Sequence, residues 1–449
     1  MDRRNFIKCL GGAGAAALAS GPLLRAMASP TGEGEFFVFI HAQGGWDVTV
    51  GLDPRWEAKG LIDPATNKNM DFASLKKWKD GGTIDGGEVS FAPVQPAGSK
   101  IVFGPAIGDL GDKFDRLTVV NGLAVNTVSH GDGTVFAATG RHLAGGRVPA
   151  SSIDTMMANE FGAGQILPAV SVRFPSSFVG NTLDRRAMPL LVDGIGSMGR
   201  ALARTNMNLG VEDRNAVTAL LTQEANDLAK ISNDPTAMNG FALQLQALTK
   251  MTGGPVQSLF ESAKLQAAQP SFDYRAQYMG TTAYNFAFAV EAMKANLVRS
   301  VAFGAGSFDT HNNSYLDQGQ KQQELFDLIA RMIEVLDVTP HPTLAGKRLS
   351  DHTHILVVSE FCRTPQINQT MGRDHYPNGS ALVVSPKFRG NTVYGASDPE
   401  QLLPKTSGKF VDGDRAAGPA DLLATFVSAF GVDPRKYMRD GEVIKELLR

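Results

Sequence analysis

The sequence predicts an α/β protein whose sheet is covered by helices on both faces. Two observations carry this. Short apolar runs recur along the chain with almost no polar alternation, as strands buried on both faces do. Stretches of helical periodicity separate those runs. The composition fits: of 449 residues, 43% are hydrophobic and 20% charged, which is enough for one large domain or two smaller ones.

The chain opens on a segment that stands outside this pattern. Arg3-Arg4 is followed by Asn5-Phe6-Ile7, then by a weakly apolar Gly/Ala-rich stretch from Cys9 to Leu24, then by Ala26-Met27-Ala28. An arginine pair, a short apolar region and a small-x-small site make a twin-arginine (Tat) export signal, residues 1–28, with 29–449 as the mature domain. The stretch is too short and too Gly-rich to span a bilayer. The expected location is therefore periplasmic or secreted, with no membrane span once the signal is removed. Cys362 is then the single mature cysteine, so no intramolecular disulfide forms. A net charge of -2 without a long basic run argues against nucleic acid as a partner.

Taken in order, the strands are Glu35–Ala42 (EFFVFIHA), Arg116–Gly122, Arg299–Ala305, His354–Ser359 and Ala381–Ser385. Gly34 and Gly44-Gly45 bound the first. Helical spacing runs over Arg214–Ile231, Phe241–Lys250, Thr282–Leu297 and Gln322–Leu336. The block Val211–Ala268 lacks strand signals and forms the bulk of a helical insertion at about 205–270. Asp63–Pro96 is polar and reads as a surface excursion.

Metal-competent and polar residues fall at or just beyond the ends of most of these strands, where open α/β sheets bind ligands. Beyond the first come His41, Gly44, Gly45 and Asp47; beyond the second, Thr127, Ser129, His130 and Asp132. Asp309 and His311 follow the third, Glu360 and Arg363 the fourth, and Asp374-His375 precede the fifth. Asp309-Thr310-His311 puts a carboxylate and an imidazole on one face of an extended segment, a donor pair suited to a divalent ion. The bland alternative is an Asx-turn beside a solvated histidine. Of Asp374 and His375, one ligates and the other orients, or both face solvent. Glu360 follows a very apolar strand and needs a cation or strong donors, with Arg363 or a metal as candidates. Ser129, or less favourably Thr127, is a candidate nucleophile in a Gly-rich loop, with His130 as ligand or general acid. His142, His341, His352 and His354 have no comparable context.

Gly44-Gly45-Trp46-Asp47 with Asp53-Pro54-Arg55 resembles the opening of the domain-of-unknown-function family 1501. The similarity extends through Ser129-His130, Phe308-Asp309-Thr310-His311, Ser359 to Pro365 (SEFCRTP), Gly372 to Asn378 (GRDHYPN) and Tyr394 to Asp398 (YGASD). That family is grouped with the alkaline phosphatase and sulfatase superfamily, which implies a mixed sheet sandwiched between helices and a site for one or two divalent ions such as zinc, manganese or calcium. The resemblance implies one metal site from Asp309, His311 and His375 and a second from Asp47 and Glu360 with a Ser or Thr nucleophile. Arg363 or Arg373 would then hold the oxyanion of a phosphate or sulfate ester, small or polymeric. Two departures stand out: the usual Asp-x-x-x-His is here Asp309-x-His311, and the usual Asp-His pair is Glu360-Phe361. His130 or His41 is then the candidate replacement. An exported binding or envelope-assembly protein that keeps the fold without turnover is the alternative from another class.

Overall fold

The computed structural model describes residues 34–54, 93–180, 183–197, 258–312, 314–366, 368–370 and 372–449, with isolated positions between 216 and 227. The expected export signal, most of the expected polar excursion and most of the expected helical insertion lie outside the described residues.

In chain order the strands are β1 (Phe36–Ala42), β2 (Leu117–Ala124), β3 (Leu167–Val172), β4 (Leu190–Val192), β5 (Val298–Ala305), β6 (Thr353–Val358), β7 (Cys362–Arg363), β8 (His375–Tyr376), β9 (Asn378–Val384), β10 (Thr392–Tyr394), β11 (Gly408–Phe410) and β12 (Gly413–Arg415). Eight of them form one sheet in the order β10-β2-β9-β6-β1-β5-β3-β4. Every neighbour pair is parallel except those of β9, which runs antiparallel to both β2 and β6. The sheet is thus mixed and mostly parallel. Reversal of β9 has a direct result: the loop before it lies at the same edge as the loops after its neighbours. This is why Asp374-His375, which precede a strand, share an edge with residues that follow strands.

The helices are α1 (His130–Thr139), α2 (Ile153–Phe161), α3 (Ser262–Ala268), α4 (Gly280–Lys294), α5 (Ser314–Val338) and α6 (Pro419–Ser428). They cover both faces. Phe36, Val38 and Ile40 of β1 pack with Phe286 and Phe288 of α4 and Leu325 and Phe326 of α5. Alternate residues Phe37 and Phe39 pack with Met156 and Met157 of α2 and Leu422 and Phe426 of α6. Each such side chain contributes roughly 1.5–3 kcal/mol by burial, so a strand that is apolar at every position is stable only between two layers. Local signals set the helix ends. In α6, Pro419 supplies a preset φ at the first position, and the Gly418 amide donates to Asp421 at 2.8 Å. α1 stops at Gly140, whose φ of 72° is left-handed.

All five expected strands are present, shifted by one to three residues at their ends. Within the eight-stranded sheet, β3, β4 and β10 were not expected. Pro168 and Ser171 interrupt the apolar run of β3, and the other two have only three residues each. The expected helices at Thr282–Leu297 and Gln322–Leu336 correspond to α4 and α5. α1 and α2 escaped notice because their faces are built largely from Ala, Met and Thr, and α6 because its apolar residues fill only ten positions close to the chain end.

At the sheet edge remote from these loops, His354 is fully buried between Ser385 and Glu35. Its Nδ1 lies 2.7 Å from the Ser385 hydroxyl and its Nε2 lies 2.7 Å from Glu35 Oε2. Burial holds the His354 pKa below 6.5, and the Glu35 hydrogen bond does not fully offset it. Burial pushes the Glu35 carboxyl up, but the His354 hydrogen bond and nearby positive charge outweigh this and leave it below 4.5. A neutral His354 therefore donates from Nε2 to an ionised Glu35. Both folded pKa values lie below their unfolded ones, so the unfolded chain binds more protons in acid. Stability is expected to fall as pH drops below 6.5, and again below 4.5. Urea midpoints between pH 7.5 and 5 would check this. A His354→Asn variant is expected to show a shallower dependence; an equal slope would remove His354 as its source.

Candidate metal centre

Three histidines from different parts of the chain meet over the C-terminal edge of the sheet. His130 opens α1, His311 follows β5 by six residues, and His375 opens β8. Each ring is held at Nδ1. His130 Nδ1 lies 2.8 Å from Glu360 Oε1, His311 Nδ1 lies 2.8 Å from Asp374 Oδ1, and His375 Nδ1 lies 2.8 Å from the Val128 carbonyl. Carbonyls and ionised carboxylates only accept, so each Nδ1 carries the proton and donates it. Each Nε2 is thereby left facing outward with its lone pair.

All three Nε2 atoms point at one oxygen. Asp309 Oδ1 lies 3.4 Å from His130 Nε2, 3.0 Å from His311 Nε2 and 3.4 Å from His375 Nε2. His311 Nε2 and His375 Nε2 are 3.1 Å apart. Ligand atoms about 2.0–2.1 Å from a tetrahedral zinc ion lie about 3.3 Å from one another, and these separations bracket that spacing. Ligand atoms of His130, Asp309 and His375 all fall within 4.8 Å of one another, a set to which His311 does not belong although its Nε2 is close to both Asp309 and His375. His130 Nε2 is closed off from solvent and has no hydrogen-bond partner among the described residues. These residues fit a divalent ion.

The charges around the cluster are set by its supports. Burial raises the Asp309 pKa, but Arg363, whose Nη2 is 2.7 Å from Oδ1, brings it down to about 2. The hydrogen bond to Glu360 raises the His130 pKa above its ordinary value, against the effect of burial. Glu360 is 2% exposed. Burial pushes its pKa up, yet hydrogen bonds from His130 and His41 hold it far below the usual carboxylate range.

Several expected ligands have other work. Glue between β1 and β6 is what Glu360 provides: Oε1 accepts from the Gly44 amide at 2.7 Å as well as from His130, and Oε2 accepts from the Ser359 hydroxyl at 3.1 Å and faces His41 Nε2 at 3.2 Å. Both oxygens are occupied, so Glu360 orients His130 rather than joining the cluster. Asp374 likewise orients His311. Asp47 turns inward, accepting from the Thr49 amide at 2.9 Å and facing Arg373 Nε at 3.4 Å, with both side chains of the ion pair fully buried. Asp47 and Glu360 therefore do not converge on a second ion. Neither Arg363 nor Arg373 reaches solvent to hold an oxyanion. Arg363 donates to the carbonyls of Gly44, Gly45 and Arg373 and to Asp309, and Arg373 donates to the Thr364 carbonyl. Ser129 is exposed as the residue before α1, and no histidine bonds its hydroxyl among the described residues; its amide donates to Thr127 Oγ1 at 3.2 Å. His142 pairs with Asp132 at 2.8 Å.

The Gly44-Gly45 turn makes this arrangement possible. Both residues have positive φ, and a Cβ on Gly44 would come within 2.5 Å of the Asp309 amide, one on Gly45 within 2.6 Å of the Phe361 ring. Gln318 of α5 was missed by sequence reasoning. Fully buried, it donates to the Phe308 carbonyl at 2.6 Å and Thr310 Oγ1 at 3.0 Å, and accepts from the Asp47 amide at 2.9 Å. Its signal was faint: Gln318 and Gln322 recur at i, i+4 spacing on one face of a helix of mixed polarity.

Glu360→Gln is expected to weaken zinc binding about 10–100-fold, since the charge that orients His130 is lost. A competition titration with a chromogenic chelator measures this, and an unchanged Kd would remove Glu360 from that role.

A comparison with curated proteins returns no match. Among solved structures, one titled "Crystal structure of Ps i-CgsB in complex with k-i-k-neocarrahexaose" is similar at a TM-score of 0.33 and 11% identity, covering 91% of this chain and 74% of that one. A likeness at that level says nothing about the chemistry of this chain. A family profile is the decisive match: residues 37–443 fit the family described as "Protein of unknown function (DUF1501)", and the chain belongs to that family.

Proposed function

We propose that this protein is an exported, metal-dependent hydrolase of a phosphate or sulfate ester, with an alkaline phosphatase-like sheet and one divalent ion at the histidine cluster. The observation that carries the reading is the convergence of three Nδ1-anchored imidazoles on one Asp309 oxygen. Three nitrogens and one carboxylate favour zinc, with manganese next; calcium prefers an all-oxygen shell. His130, His311, His375 and Asp309 would hold the ion, which supplies Lewis-acid polarisation of a phosphoryl or sulfuryl oxygen. Arg363 keeps Asp309 ionised, and Glu360, Asp374 and the Val128 carbonyl fix the three rings. Ser129, exposed beside His130, is assigned as the attacking group. The twin-arginine pattern at Arg3-Arg4 supports export to the periplasm or beyond. No described helix is long and apolar enough to cross a membrane.

A second reading keeps the ion without turnover, as a binding or assembly protein. Phe361 favours it: fully buried, it packs against His130 and His375 at centroid distances of 4.9 and 4.7 Å where the superfamily carries a ligand. Metal content by plasma mass spectrometry, followed by a screen of phosphate and sulfate esters with Ser129→Ala beside the parent, separates the two. Bound ion with ester turnover that Ser129→Ala abolishes is the expected result. Bound ion without turnover of any ester selects the second reading, and no ion after reconstitution overturns both.

A further inference from the structure

Beside the cluster lies a cavity of about 840 Å³, a size that accommodates a drug-sized organic ligand. It opens at the same sheet edge, between the ends of β1, β3 and β5 and the first turn of α4. Gln43 in its wall is next to Gly44, and Ser307 is two residues before Asp309, so the two spaces adjoin.

Its lining is unusual in kind. Among the described lining residues only Val172 and Ile195 are aliphatic, which disfavours an acyl chain. The charged ones are Lys321, Arg173 and Asp193, too few for a polyanion. The remainder are largely amides, hydroxyls, glycines and two tyrosines. An amide side chain offers a donor and an acceptor together, which matches a hydroxyl that is both. Tyr278 and Tyr284 add flat apolar faces.

Three polar side chains border this space with bonding capacity to spare. Asn285 is 8% exposed and Thr282 is 5% exposed, and neither side chain makes a hydrogen bond among the described residues. Their polar atoms are therefore free to bond a ligand in the cavity. Lys321 is the third. Its side chain is 13% exposed, its Nζ stands 4.0 Å from Asp317 and 5.2 Å from the centre of the Tyr278 ring, and it makes no hydrogen bond. Asp317 at 4.0 Å is a loose counter-charge, so the ammonium keeps donors for a second anion.

We infer that this cavity is a saccharide subsite: Asn285 and Thr282 bond sugar hydroxyls, and Lys321 takes an anionic substituent, sulfate, phosphate or carboxylate. The assignment rests on the hydrolase reading for the direction in which the ester points, and makes the alcohol of that ester a sugar.

The test is binding of the mature full-length protein to a glycan array carrying neutral, sulfated, phosphorylated and carboxylated saccharides, followed by calorimetry on the best binder. The expected result is preference for anionic saccharides. Asn285→Leu and the isosteric Thr282→Val should each weaken binding about 3–10-fold, the loss of a hydrogen bond with its partner left unmet. Lys321→Met should erase the preference for anionic over neutral forms. Melting curves confirm that each variant is folded. No saccharide bound, or binding unchanged in both Asn285→Leu and Thr282→Val, overturns the subsite. Equal binding of neutral and anionic forms by the parent overturns the role of Lys321. Metal content and ester turnover are measured on the same preparation. Saccharide binding that persists without ion or turnover leaves the subsite standing and removes the hydrolase reading; turnover of simple esters without saccharide binding does the reverse.

Discussion

Asp309→Ala is expected to leave the mature protein without bound zinc at concentrations that saturate the parent. The loss should exceed the roughly 10–100-fold expected of the orienting residue Glu360, for two reasons that act together. Asp309 is the single anion at the centre of the cluster, within 3.4 Å of all three Nε2 atoms. It is also the partner of Arg363, whose Nη2 is 2.7 Å away and fully buried. Without the carboxylate, a fixed guanidinium charge stands beside the position a cation would occupy. Asp309→Asn separates the effects, since it keeps a hydrogen-bond acceptor for Arg363 and loses the charge. Plasma mass spectrometry on dialysed protein, with a competition titration for the Kd, gives the readout. Zinc retained by Asp309→Ala with the parent Kd would exclude this cluster as the binding site.

The second large effect is on stability. Arg373→Met is expected to cost roughly 3–5 kcal/mol, because it leaves Asp47 charged and unpaired in the interior. The two side chains face each other at 3.4 Å with no exposure on either. Replacing both partners, as Asp47→Leu with Arg373→Met, is expected to recover much of the loss, since a buried ion pair is often no better than the apolar residues that fill its place. Guanidinium denaturation of the two singles and the double measures the coupling. Arg373→Met within about 1 kcal/mol of the parent would show that water or another group compensates Asp47. Folded Arg373→Met should still bind zinc, which is where this role differs most sharply from that of a ligand.

The contrast between Asp47 and Asp309 shows how far a sequence carries such a site. Both carboxylates follow apolar strands, and the sheet edge they occupy was legible from that alone. The direction in which each points was not. Past the Gly44-Gly45 turn, Asp47 is fully buried against Arg373, while the Asp309 side chain stays 42% exposed. Glu360 was legible as a buried carboxylate in need of partners, but its partners come from residues 41 and 130 and the Gly44 amide, contacts that exist only once β1, β6 and α1 are assembled. His311 and His375 could be picked from their Asp neighbours. His130 carried two open roles, and its position over Asp309 follows from α1 beginning at that residue. Lys321 gave no signal at all, since one lysine in a helix of mixed polarity is unremarkable until its surroundings are known.

The place of β9 has a consequence for when the cluster comes into being. β9 is among the last of the long strands to be synthesised, yet it lies between β2 and β6 in the middle of the sheet. Until residues 378–384 dock, β2 and β10 have no hydrogen-bonded link to the other strands, and His130, which follows β2, has no fixed distance from Asp309, which follows β5. Such long-range pairings form late because chain closure must precede any gain from contact. His375 arrives with the same strand. The donors thus come together only when β9 is in place, and a chain arrested before β9 carries at most the Asp309-His311 half of the cluster. On the proposed metal reading, an ion held by these donors would mark a molecule whose sheet has closed.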